Sequence, residues 1–119
     1  MSHIVTISTR ITNHAAVEAA CRRLLLPKPA HGTAKLYSGE ATGLLVQLPG
    51  WRYPAVIDTQ TGVIAYDVFD GAWGDERELH RFLQAYSVEA VRVQARQRGM
   101  AVTEQQLADG SIKLSIQEG

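Results

Sequence analysis

The chain has 119 residues with 12 basic and 12 acidic side chains, so its formal net charge is zero. That balance disfavours a general nucleic-acid or polyanion binder, which needs surplus Lys and Arg to neutralise phosphates. At 45% hydrophobic and 20% charged the composition is that of an ordinary soluble domain, and the length holds one core rather than two, giving a single domain over 1–119.

In chain order, His3 to Ile11 alternates, with Ile4 or Val5, Ile7, Thr9 and Ile11 as β-branched positions, and predicts a first strand with a half-buried face. Thr12 or Asn13 then caps a helix running to about Leu26 and ended by Pro27 and Pro29. Its Val17, Ala20, Cys21 and Leu24 fall on one side at about 100° per residue, which makes Cys21 a small core residue rather than a nucleophile. As the only cysteine it also excludes an internal disulfide and a thiolate metal cage. Residues 27–34 read as a loop. Short strands follow at Ala34–Tyr37, Gly43–Leu48, Tyr53–Asp58 and Val63–Val68, with Asp58 to Gly62 as a hairpin connection.

The second helix starts at Asp75, with Glu78 three positions on in the manner of a capping box, and stops at Gly99. Leu79, Phe82, Leu83, Tyr86, Ala90 and Val93 share the face that should lie on the sheet. Met100–Leu107 and Ser111–Ile116 then form two strands joined through Ala108-Asp109-Gly110, an Asp-Gly hairpin signal. The pattern predicts an α+β fold, a mainly antiparallel sheet of about six or seven strands with two helices packed on one face.

Several segments recur together in a known family: Met1-Ser2-His3, the Ile7, Thr9 and Ile11 strand, Tyr66-Asp67 to Trp73-Gly74, and Asp109-Gly110-Ser111-Ile112-Lys113-Leu114. In their order and spacing, from Met1 to about Ile116, the chain resembles a bacterial branch of the domain-of-unknown-function family that includes the hypothetical chloroplast reading frame thirty-five proteins of plastids and cyanobacteria. The middle section from Gly32 to Pro54 is its own. The resemblance implies the fold and carries over no catalytic residue.

Two constellations could bind something. Leu48 to Pro54 places Trp51, Arg52 and Tyr53 in a loop bounded by Pro and Gly, where aromatic faces can stack on a flat ligand while Arg binds an anion; a turn with Trp51 folded over the core edge is the alternative. Tyr66, Asp67, Phe69, Asp70, Trp73 and Asp75 form a second cluster just before the helix. At one end of the sheet the two would line a pocket with Arg52 facing Asp67 or Asp70. The aspartates lack the spacing of a calcium loop, and Asp75 is already a helix cap. His3, His14, His31 and His80 have no paired spacing for zinc, although His3 and the terminal amine can take copper or nickel adventitiously. There is no Gly-rich phosphate loop and no Gly-x-Ser-x-Gly elbow, so no cofactor or metal is expected.

Opposite its core face the second helix carries a stripe of Gln84, Val88, Val91 and Ala95 flanked by Arg77, Arg81, Arg92 and Arg96. Such a face should be polar. The stripe predicts a second contact, with the first helix through Ala15, Ala16 and Ala19, or with a protein partner or second copy. Glu76, Glu78 and Glu89 compensate the Arg row, which argues against phosphate backbones. Met1 to Thr6 shows no secretory leader, and no segment approaches the roughly 20 apolar residues that span a bilayer, so a cytoplasmic protein with no membrane contact is expected. The sequence therefore predicts a non-catalytic interaction or assembly module, with a small-ligand-binding protein or enzyme at the Trp51 and Trp73 cluster as the alternative.

Overall fold

The structure is a computed structural model. It describes residues 4–7, 10–37, 39–69 and 71–118; His3, Thr9 and Asp70 lie outside the described residues. Among these the order is β1 (Ile4–Ile7), α1 (His14–Arg23), β2 (Ala30–Leu36), β3 (Gly39–Val46), β4 (Ala55–Asp58), β5 (Val63–Asp67), α2 (Glu76–Gln97), β6 (Met100–Gln106) and β7 (Ile112–Glu118). The fold is α+β and all strand pairs are antiparallel.

The expected single sheet is divided in two. A five-stranded sheet has the order β1-β5-β4-β3-β2, and β6 with β7 makes a separate two-stranded sheet. The connection explains the division. Gly99, at φ 70°, reverses the chain directly after α2, so β6 has no linker with which to reach the main sheet and runs back beside the helix, where β6 and β7 both touch α2.

Asn13 caps α1 by accepting from the Ala16 N–H at 3.0 Å. The helix stops three residues before the expected Leu26, because Leu25 turns left-handed at φ 57°; its N–H donates to the Arg22 carbonyl and that of Leu26 to the Cys21 carbonyl, which closes the last turn. Asp75 caps α2 through the Arg77 N–H at 2.9 Å. Glu78 does not return to complete a capping box, since its carboxylate pairs with Arg81.

Cross-strand pairing puts Leu44, Val46, Ala55, Ile57, Ile64 and Tyr66 on the same face of the main sheet. These residues share one buried cluster with Ala16, Val17, Ala20 and Cys21 of α1 and with Leu79, Phe82, Ala85 and Tyr86 of α2. Leu83, Ala90 and Val93 pack against its edge, so the α2 face expected from the sequence is the core face. Burial pushes the Cys21 thiol up to about 11, as befits a core residue. The β4–β5 turn forms where expected: Asp58 accepts from the Gln60 and Thr61 N–H groups, and Gly62, at φ 80°, passes so close to Arg10 that a Cβ would sit 2.7 Å from the Arg10 Cα. β2 begins inside the segment expected to be a loop, because its exposed half is held by ladder bonds and a Thr33–Thr42 hydroxyl contact of 2.8 Å rather than by a buried face.

Candidate functional site

Of the seven residues expected to bind a ligand, Asp70 lies outside the described residues and the other six separate into three groups. Trp51 and Tyr66 belong to the main core, 5% and 3% exposed, with ring centroids 5.5 Å apart. Trp51 Nε1–H donates to the Asp75 carbonyl at 3.0 Å, and Gly74 lies so close that a Cβ would sit 2.8 Å from the indole. Here the loop folds its tryptophan over the core edge, and Trp51 and Tyr66 are not available to a ligand.

Arg52, Tyr53 and Trp73 do come together. The Arg52 N–H donates to the Trp73 carbonyl at 2.8 Å, joining the two sequence clusters through the backbone. The Trp73 N–H in turn donates to the Val68 carbonyl at 2.9 Å, as does that of Gly71, so the segment after β5 closes into a tight turn. Half-buried Trp73 is the hub of the rings: Phe69 stacks on it at 4.8 Å, Tyr37 tilts against it at 4.9 Å, and Tyr53 meets it edge-on at 5.6 Å. The Arg52 guanidinium carbon lies 5.6 Å from the Trp73 ring centre and 5.7 Å from that of Tyr53, within cation–π range. No carboxylate among the described residues pairs with Arg52.

Asp67 stands apart. Its position one residue on from Tyr66, paired with Ile4 of β1, points it to the face opposite the core cluster. It is fully buried, yet neither carboxylate oxygen has a hydrogen-bond partner. Of the two expected partners for Arg52, Asp67 does not pair with it, since Arg52 lies over the Trp73 and Tyr53 rings, and Asp70 lies outside the described residues. Phe69, two residues on, sits at φ 45°, a left-handed conformation that strains a bulky side chain. Tyr37 is not legible in the sequence as part of this cluster, because the turn after β2 reaches Trp73 only through the fold of the sheet.

The expected partner stripe on α2 is covered by the chain itself. Val88 and Ala95 are each only 4% exposed, and Val91 and Ala95 share a small cavity with Met100 and Ile116 of the β6–β7 hairpin. Gln84 Nε2 donates to the Gly110 carbonyl at the hairpin tip at 3.0 Å. The β6–β7 hairpin thus supplies a contact to this stripe within the chain, while α1 packs beside α2. Of the flanking arginines, Arg77 pairs with Asp75 and holds that carboxyl below its ordinary pKa, and Arg81 pairs with Glu78. Arg92 reaches Glu104 of β6, which Arg23 of α1 also engages. The side-chain hydrogen bond from Arg23, with that from Arg92, holds the Glu104 carboxyl down at about 2.

Among the described residues no three His, Cys, Asp or Glu side chains gather to hold a metal ion, and no helix is long and apolar enough to cross a membrane. Comparison with family models, with curated proteins and with solved structures gave no match for this chain.

Proposed function

We propose that this chain is a small non-catalytic binding module, and that its ligand is a flat, anion-bearing molecule held on the Arg52 and Trp73 platform. One observation carries the reading: an exposed cation and a cluster of aromatic rings stand together beside a strained turn. Phe69 is held at positive φ, and Arg52 is an exposed cation over the Trp73 and Tyr53 rings with no carboxylate partner among the described residues. The strained residue disfavours the folded state by about 1–3 kcal/mol, and such strain clusters at ligand sites.

The chemistry follows from the groups present. Ring faces offer stacking to any planar system, and the guanidinium offers a planar fork to a carboxylate or phosphate. In this reading both helices cover the Leu44, Ile57 and Ile64 face of the main sheet, which leaves the aromatic turn to serve the other face. The buried Cys21 thiol, raised to about 11, is a poor nucleophile and fits a reducing cytoplasm. The resemblance to the thirty-five reading-frame family supplies no site residue to this proposal.

Tryptophan emission tests it. Trp73 is half-buried on the platform, whereas Trp51 is locked in the core. Titration with aromatic carboxylates and nucleoside monophosphates should quench the wild type saturably, and the response should vanish in Trp73→Leu and in Arg52→Ala. A flat response to every compound, or equal quenching in Arg52→Ala, would refute the assignment.

A further inference from the structure

A groove between the two helices shares no lining residue with the aromatic platform. The last turn of α1 carries Arg22 and Arg23, and α2 carries Arg92 and Arg96 one turn apart; with Glu104 of β6 they wall an open groove of about 550 Å³. Ala15 and Ala19 lie along α1 here, and side chains so short leave the space between the helices unfilled. Four arginines and the two glutamates Glu89 and Glu104 line it, so the lining carries a formal charge of +2.

The arginines are not equivalent. Glu104 accepts from both Arg23 and Arg92, the two sharing its Oε2, so their guanidinium groups are positioned before anything binds. Arg22 and Arg96 are exposed and have no carboxylate partner among the described residues. Arg92 and Arg96, four residues apart on one helix, repel each other, and no acid on their own helix pairs with either. Two fixed and two free guanidinium groups around a cavity form an anion cradle, and their forks suit tetrahedral oxyanions that accept several N–H donors at once.

We propose that this groove binds a phosphate dianion, either free or carried as a phosphomonoester, with Arg22 and Arg96 closing on it and Arg23 and Arg92 held ready by Glu104. A charge of two matches the formal surplus of the lining. The same balance limits the site to a discrete anion and agrees with a chain of zero formal net charge.

The test is a titration of ¹⁵N-labelled protein with inorganic phosphate and, separately, with O-phosphoserine, at constant ionic strength set with chloride. Saturable shifts confined to the amides and side-chain Nε–H groups of residues 22, 23, 92 and 96 are expected. The apparent Kd should weaken at least about tenfold in the Arg22→Ala, Arg96→Ala double variant and hold in a charge-matched Lys35→Ala, Lys113→Ala variant. A tighter response to O-phosphoserine than to phosphate identifies the monoester as the ligand form, and the reverse identifies the free ion. Unsaturable shifts, an unchanged Kd in the arginine variant, or equal weakening in both variants would overturn the proposal. All four substituted residues are exposed, and the spectra themselves report whether each variant is folded.

Discussion

Glu104→Gln is the most informative single change outside the aromatic platform. Glu104 lies on a two-stranded sheet that is marginal by itself, and its carboxylate is bonded to Arg23 of α1, 81 residues away, and to Arg92 of α2. Its side chain is 19% exposed, against 30% and 35% for the two arginines, so water screens the pairs in part. At the upper end of the range for such contacts the two pairs together contribute about 1–2 kcal/mol. Gln keeps the size and one acceptor oxygen, so the loss is the charge and not the packing. With a urea m value of about 2 kcal/mol per molar, the unfolding midpoint at pH 7 should fall by about 0.5–1 M. The pH dependence fixes the sign. The folded-state pKa is about 2, depressed from 4.5, so the contribution is fully present above pH 4.5 and is lost as pH falls toward 2. The difference between wild type and Glu104→Gln should therefore shrink across that window. An unchanged midpoint at pH 7, or a constant difference between pH 5 and 2, would refute a clamp built on Glu104.

Three further substitutions probe the local arguments. Leu25→Gly should raise stability by about 1 kcal/mol in urea unfolding, because Leu25 is left-handed at φ 57° and 91% exposed, so its side chain contributes strain and little packing; a loss would show a contact that offsets it. Asp67→Val replaces a buried carboxyl group that has no hydrogen-bond donor with an apolar, β-branched side chain and should stabilise by about 1–3 kcal/mol, measured as a rise in the thermal midpoint; a fall would reveal a partner for the carboxyl group. Val88→Asp places a charge beneath the C-terminal hairpin and should cost about 3 kcal/mol or more with no change in sedimentation coefficient under folding conditions, whereas full stability with altered sedimentation would return this stripe to an intermolecular role.

What the sequence discloses is what local chemistry encodes. Asn13 and Asp75 mark helix starts, Gly62, Gly99 and Gly110 adopt the positive φ their turns require, and Leu79, Phe82 and Tyr86 keep helical spacing. Both helices, the Asp58 turn and the Asp109-Gly110 hairpin are therefore legible from residue order alone. Strand limits from Ala30 to Val46 are not, because the outer part of that hairpin is polar and exposed and its pattern carries no buried face. The Val88 stripe signals that something covers it without saying what; the missing linker after Gly99 decides in favour of β6 and β7, and that is a tertiary outcome. Arg52, Tyr53 and Trp73 are legible as residue types suited to a ligand. That Trp51 turns inward, that Tyr37 joins from a distant turn, and that Asp67 is buried without a donor depend on which side of the sheet each residue falls.

The most direct test of the platform is ligand-observed saturation-transfer NMR with aromatic carboxylates and nucleoside monophosphates, run against wild type and Arg52→Ala at equal concentration. The expected result is transfer to the aromatic protons of at least one compound in the wild type, reduced at least about tenfold in the variant. No transfer to any compound, or the same transfer in both proteins, would contradict a ligand site built on Arg52 and Trp73.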